Sequence, residues 1–278
     1  MKKTYVIVGL GLIGGSLGAA ITKHILQARV VGVSRDSAKI KLAKKKRFIH
    51  EGSTDLKSAV RSADYIFVCA PVDKIPQLVS EIDRFAKAGA IVTDVGSTKS
   101  EIVKSVERKK LKRIQFVGSH PLAGSHLTGL KHAASNLFDG AFVFVTPSKK
   151  TSSKAVREIS SLWRKLKTRV KLISPEAHDQ IVSEISHLPH ATAALLMQTA
   201  SQKSLGFAAS GFLDTTRVAQ GDPSLWAPIF LTNKANVLKG LNQFRMALSK
   251  LSRLVRQAKT KPLSQFLKTA SVKRSKLA

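Results

Sequence analysis

The sequence predicts an α/β fold followed by an all-helical domain, and three observations predict it. Short apolar runs rich in valine and isoleucine recur along the first 174 residues, the pattern of strands buried on both faces of a parallel sheet. A glycine-rich turn comes directly after the first of these runs. From Pro175 onward the apolar residues fall at helical spacing and strand signals almost disappear. Two domains are therefore expected, 1–174 and 175–278, in a chain of 278 residues that is longer than a single core usually fills.

In chain order, TYVIVGL, VVGVS, YIFVCAP, AIVTDVG, FVGSHP and AFVFVTP each read as a parallel strand alternating with helices, and RVKLIS is a weaker seventh. The helical part contains SEISHLPHATAALLMQTA and LWAPIFLTNKANVLKGLNQFRMALSKLSRLVRQ. Long apolar helix faces need a cover, and a second copy of the chain is the simplest one, so a homodimer is expected. The end of the chain from Lys259, rich in Lys and Ser, is expected to be a short helix and a loose tail.

Composition narrows the function classes. Hydrophobic residues at 43% and charged residues at 23% exclude a disordered chain as the default. The single cysteine, Cys69 in YIFVCAP, can form no disulfide within the chain and reads as a buried, inert thiol of a cytoplasmic protein. The opening MKKTYVIVGLGLIGGSLGAA imitates a secretory signal, but its glycine spacing and the strand–helix alternation running on from it favour a folded first strand. No other run approaches the ~18 to 20 apolar residues that span a membrane. The 47 Lys+Arg against 17 Asp+Glu give a net charge of +30, which concentrates anions of any kind near the surface. With 6% aromatic residues and no aromatics interleaved in the basic segments, the lysines read as solvated helix faces and nucleic acid is not the expected partner.

Gly9-Leu10-Gly11-Leu12-Ile13-Gly14 follows the first strand and opens a helix, the context in which a G-x-G-x-x-G pattern binds a dinucleotide in a Rossmann-like domain. Gly9 permits the turn, Gly11 admits the pyrophosphate and Gly14 lets the helix pack on the sheet. The helix start through Leu12 and Ile13 offers free N–H groups to phosphate. The second strand ends in Ser34-Arg35-Asp36. A hydroxyl and an arginine suit a 2′-phosphate, so these residues lean toward NADP over NAD, although Asp36 could reach the ribose. Ala70 and Pro71, and Asp94 and Gly96, close two further strands where such a sheet presents its ligand crevice.

The stretch FVGSHPLAGSHLTG holds His120 directly before Pro121. Proline restricts the preceding residue to extended conformations, so His120 is aimed from a strand end. A plain turn in which His120 only caps the strand is the structural alternative.

Four stretches, DVGSTKS (94–100), GSHPLAGS (118–125), HDQIVSEISHLPH (178–190) and GFLDTTRVAQGDPSLW (211–226), together with the glycine loop, resemble the prephenate/arogenate dehydrogenase family of tyrosine biosynthesis in the same order. The resemblance implies a dimeric enzyme with a nucleotide domain and a helical dimerisation domain, oxidatively decarboxylating a cyclohexadienol with NAD(P). It implies His120 as the base for the C4 hydroxyl, as an imidazole titrating near working pH suits. Ser97 would align that hydroxyl or the nicotinamide, and Arg217 would clamp a substrate carboxylate. His187 and His190, three apart on one helix face, would meet substrate or cofactor, and Trp226 would reach the partner subunit's site. His126 stands where many prephenate-using relatives carry glutamate, which leaves the choice between prephenate and arogenate open.

Each role has a bland alternative: a surface ion pair with Asp214 for Arg217, satisfied core histidines for His187 and His190, and ordinary packing for Trp226. With no mutase or regulatory segment recognised, a monofunctional enzyme is expected. Two rivals remain open: a two-domain dehydrogenase of the hydroxyacid or imine-reductase type, and a cofactor-sensing protein that binds polyanions through its basic surface.

Overall fold

A computed structural model describes residues 2–124 and 128–277. The elements are β1 (Lys3–Val8), α1 (Leu12–His24), β2 (Ala28–Val33), α2 (Ser37–Lys45), β3 (Glu51–Ser53), α3 (Leu56–Val60), β4 (Tyr65–Val68), α4 (Ile75–Phe85), β5 (Ile91–Asp94), α5 (Ser100–Arg108) and β6 (Gln115–Pro121). They continue with β7 (Phe142–Thr146), α6 (Ser153–Lys165), β8 (Arg169–Leu172), α7 (Pro175–Val182), α8 (Leu188–Thr199), α9 (Gln202–Leu205), α10 (Ser210–Thr216), α11 (Pro223–Thr232), α12 (Lys234–Arg256) and α13 (Thr260–Ser275).

The strands form one eight-stranded sheet in the order β3-β2-β1-β4-β5-β6-β7-β8. Because side chains alternate along a strand, β1 sends Tyr5 and Ile7 into one apolar layer and Val6 and Val8 into the other. Leu17 and Ile21 of α1 and Trp163 of α6 fill the first layer; Val79 and Ile82 of α4 and Ile102 and Val106 of α5 fill the second. Burial on both faces is what the continuous valine and isoleucine runs require.

Two expectations about the sheet are corrected. β7 pairs antiparallel to β6, with Gly118 opposite Thr146 and Pro121 opposite Val143, and β8 then runs parallel to β7. The last two strands are therefore reversed. Between β6 and β7 the described chain has only a short 3-10 turn, Leu130–His132, whereas a parallel return is usually made over a crossover helix. The second correction is β3, a three-residue edge strand, EGS, too short and too exposed to carry an apolar pattern.

β6 changes partner along its length. Gln115, Phe116 and Val117 pair with β5, and Gly118 to Pro121 pair with β7. The second half thus projects past the end of β5 and carries His120 at the carboxyl edge of the sheet.

All described elements after Ser174 are helical. By compactness the chain divides into Met1–Asn233 and Lys234–Ala278. The second unit is the helix pair α12 and α13. α13 continues to Ser275, so the expected short helix and loose tail is one helix of 16 residues. No helix among the described residues is long and apolar enough to cross a membrane.

Candidate active site

The sheet order reverses at β1, which has β2 on one side and β4 on the other. Ligands of open α/β sheets bind in the crevice outside the strand ends at such a point. A cleft of about 900 Å³ lies there, lined by Gly9, Gly11, Ser34, Arg35, Ala70 and Pro71 among others.

The backbone of the turn fits a pyrophosphate. Gly9 has φ +104°, and a Cβ there would lie 2.2 Å from the Cys69 carbonyl oxygen. A Cβ on Gly14 would lie 1.9 Å from the Gly9 carbonyl oxygen, so this glycine is needed for close packing of α1. At Gly11, by contrast, a Cβ would meet no atom within 4 Å. Packing does not demand glycine there; the missing side chain leaves a cradle over the start of α1. Gly11 is the N-cap of that helix with no side chain capping it, which leaves the N–H groups of the first turn, including those of Leu12 and Ile13, for an anion.

At the far end of the cleft Asp36 accepts hydrogen bonds from the N–H groups of Ala38 (2.9 Å) and Lys39 (3.4 Å) and so caps α2. Arg35 and Lys39 line the same cleft. Cys69 also lines it, with its thiol pKa pushed up by burial and by Asp94.

Asp94 and Gly96 do not line this cleft. Asp94 is fully buried. Its carboxylate receives the Ser119 N–H (3.2 Å), the Gly96 N–H (2.9 Å) and the buried ammonium of Lys99. Lys99 also donates to the Ser119 carbonyl at 2.9 Å, and burial lowers its pKa against the opposing pull of Asp94. The Ser119 hydroxyl contacts Thr93 Oγ1 (2.9 Å), the Asp94 carbonyl (2.7 Å) and Trp163 Nε1 (3.1 Å). Asp94, expected at the cofactor, therefore braces the strand end that carries His120. A carboxylate beside a buried lysine is held by the pair, because an unpaired buried charge is prohibitive.

His120 is half-buried. Its Nδ1 lies 2.9 Å from Nε2 of His178, whose Nδ1 lies 2.8 Å from Oδ1 of Asp179. No protein partner for His120 Nε2 occurs among the described residues. His178 is held edge-on to Phe144 of β7, with ring centres 5.5 Å apart. Asp179 also accepts the N–H groups of Lys99 (2.7 Å) and Ser100 (2.9 Å), and so caps α5, whose own N-cap residue Lys99 supplies no side-chain cap. Burial drives the Asp179 pKa upward, but the hydrogen bonds from His178 and the Ser100 N–H outweigh it and hold the carboxyl below its usual range. Burial lowers both imidazoles; at His120 the neighbouring His178 and Lys99 push in the same direction, well below the ordinary value.

His187 and His190 share a face. A π-helical turn, Ser183–His187, joins α7 to α8, and Pro189 lies in the first turn of α8. Proline cannot donate the hydrogen bond of a continuing α-helix, and π turns are frequent at functional sites. His190 stacks on Trp226 at 3.6 Å between ring centres, and His187 meets the same indole edge-on at 6.2 Å. His187 Nδ1 receives Asn233 Nδ2 at 3.2 Å, and the same amide donates to the Asp179 carbonyl at 2.8 Å. Burial lowers the His187 pKa to about 4. His187 is thus a buried, hydrogen-bonded histidine; His190 is buried too and bonds the Val218 backbone, while its Nδ1 has no partner among the described residues.

Arg217 is exposed and forms no ion pair, with Asp214 or any other acid, among the described residues. Ser97 is half-buried, with no partner for its hydroxyl among them. His126 lies outside the described residues. Sequence reasoning missed His178 altogether and found no role for Asp179.

The sequence model described as "Prephenate dehydrogenase, nucleotide-binding domain" matches residues 17–172, and that described as "Prephenate dehydrogenase, dimerization domain" matches residues 174–269. A prephenate dehydrogenase of Bacillus subtilis is 35% identical over 280 residues, covering 97% of this chain and 75% of that protein. Among solved structures, prephenate dehydrogenase from A. aeolicus in complex with hydroxyphenyl propionate and NAD+ superposes with a TM-score of 0.92 at 30% identity, covering 99% of this chain and 98% of that one. Synechocystis arogenate dehydrogenase gives 0.84 at 30% identity, covering 99% and 100%.

Proposed function

The chain belongs to the prephenate dehydrogenase family, and from that premise we propose that it oxidises prephenate to a phenol with loss of CO2, using a nicotinamide dinucleotide held in the cleft at the glycine turn. The observation that carries the reading is His120, fixed at the carboxyl edge of the sheet with one ring nitrogen tied to His178 and the other without a partner among the described residues.

The dinucleotide supplies a hydride acceptor for ring C4. The bond from the ring to its carboxylate breaks as CO2 leaves, and the electron pair of that bond completes the aromatic ring. His120 Nε2 accepts the hydroxyl proton as C4 takes on carbonyl character and returns it to the phenol oxygen. His120 is suited to this because burial keeps it unprotonated at neutral pH. Arg217, with no acid paired to it among the described residues, offers a planar fork to a substrate carboxylate. Ser97, whose hydroxyl has no partner among the described residues, would align the reacting groups. His190, stacked on Trp226 with its Nδ1 unpartnered among the described residues, is the better candidate of the helix histidines for a ligand contact.

Two finer assignments follow from charge. Asp36 caps α2 through Oδ1 and faces the Lys39 ammonium at 4.0 Å through Oδ2, while Arg35 lines the same cleft with no acid paired to it among the described residues, an arrangement that supports a 2′-phosphate and hence NADP. The acids beside His120, Asp94 and Asp179, are both engaged; a substrate ammonium meets no unpaired carboxylate there among the described residues, which supports prephenate over arogenate. Homodimerisation is supported by exposed apolar side chains such as Leu195 (50%), Phe207 (85%) and Leu231 (71%) within the segment matched to the dimerization domain.

The test is a steady-state assay crossing prephenate and arogenate with NAD+ and NADP+. Prephenate with NADP+ is expected to give the highest kcat/KM. Turnover of neither ring substrate would reject the reading, and preference for arogenate or NAD+ would reject the finer assignment alone.

A further inference from the structure

We propose that His178 and Asp179 are positioning residues that fix the tautomer of His120, placing its proton on Nδ1 and leaving Nε2 bare to receive the substrate proton. The inference rests on the reading of His120 as the proton acceptor, and it follows from counting donors along a chain of three side chains.

The count starts at Asp179. Its carboxylate takes the backbone N–H groups of Lys99 and Ser100 and faces His178 Nδ1 at 2.8 Å. An ionised carboxylate only accepts, so His178 Nδ1 carries a proton. A neutral imidazole protonated at Nδ1 presents Nε2 as an acceptor, and that atom lies 2.9 Å from His120 Nδ1. One proton must sit between them, and only His120 can supply it. His120 is then protonated at Nδ1, and its Nε2 lone pair is free. When Nε2 takes up a proton, the bond from Nδ1 to His178 stays as it was, and the negative charge of Asp179 lies at the far end of the chain to balance the new imidazolium.

The fold makes this arrangement rigid. Asp179 is pinned because it caps α5, and its backbone carbonyl receives Asn233. His178 is fully buried against Phe144. A histidine needed only to fill space would not require both ring nitrogens in line with polar partners. Were His178 doubly protonated, His120 Nδ1 would have to accept and Nε2 would hold the proton, the wrong form for a base. Burial of His178 opposes that state.

The first experiment uses the unmodified full-length protein labelled with 15N-histidine. At neutral pH the His120 resonances, assigned by their loss in His120→Asn, are expected to show a protonated Nδ1 and a bare Nε2. A protonated Nε2 would overturn the proposal. This readout needs no turnover, so it stands or falls separately from the assignment of His120 as base. The second compares His178→Phe, which keeps a ring against Phe144 but offers no acceptor, with His178→Gln, whose side-chain oxygen can accept from His120 Nδ1. We expect kcat to fall roughly tenfold to hundredfold in the phenylalanine variant, the range that removal of an orienting partner costs at metal-bound histidines. The KM for both substrates should hold within about threefold, and glutamine should restore most of kcat. Wild-type kcat in His178→Phe, or equal losses in the two variants, would refute the positioning role.

Discussion

Arg217 stands exposed at the start of a 3-10 turn with no acid to neutralise it among the described residues. With no acid paired to it among the described residues, the guanidinium can offer two donors to a carboxylate from solution. Loss of a charge-assisted, two-point contact costs about 1.5 to 3 kcal/mol. Arg217→Ala is accordingly expected to raise the substrate KM roughly tenfold to hundredfold with little change in kcat. An unchanged KM in steady-state kinetics would remove Arg217 from the site. The placement of His120 on an extended strand end was legible in the sequence because Pro121 restricts its backbone. Its hydrogen-bond partners His178 and Asp179 were not. Ser97 and Thr98 stand where a cap for α5 would be looked for, yet the cap comes from Asp179, about eighty residues on. No local pattern predicts a cap supplied from such a distance. Asp94 also stands at a strand end, where a ligand contact is looked for, and the buried ammonium of Lys99 that engages its carboxylate was not legible either.

At the scale of one element, the glycine turn separates two demands that the sequence pattern merges. Gly14 is required by protein packing, while Gly11 leaves space that no protein atom uses. The backbone at Gly11, φ −94°, is one that alanine adopts freely. Gly11→Ala is therefore expected to keep the wild-type thermal midpoint within a few degrees and to weaken dinucleotide binding about tenfold or more, as a methyl group enters the cradle. Gly14→Ala should instead destabilise the fold by about 1 to 3 kcal/mol, because the methyl has nowhere to go. Differential scanning calorimetry with a cofactor titration separates the two. Equal melting losses in both variants would mean that the cradle is not a ligand site. The direction of β7 and β8 was not legible, since an apolar run reads the same either way along the sheet. Only the connection through residues 122–141, without a crossover helix among its described residues, decides it.

For the whole molecule, the buried neutral histidines make stability depend on acid. A histidine whose pKa is lowered in the fold contributes fully above its unfolded value of about 6.5 and loses that contribution as pH falls toward the folded value. For His187 the window runs from about 6.5 down to about 4. Between pH 7 and pH 5 this residue alone should cost about 2 kcal/mol. His120, His178 and His190 are lowered too and act in the same direction. Urea unfolding is expected to show a lower midpoint at pH 5 than at pH 7; equal midpoints would mean that these imidazoles are protonated in the fold. The helical nature of the chain after Pro175 was legible from periodicity. The interruption by a π turn was not, although Pro189 marks where a regular helix must yield. The net charge of +30 concentrates small anions near the surface.

The most direct measurement is stopped-flow formation of the reduced dinucleotide by His120→Asn, with prephenate saturating. The predicted result is hydride transfer slower by about a hundredfold or more, within the range of a lost proton acceptor, with unchanged dinucleotide affinity. Transfer at close to the wild-type rate would show that proton removal does not pass through His120 and would contradict the catalytic reading of the sheet edge.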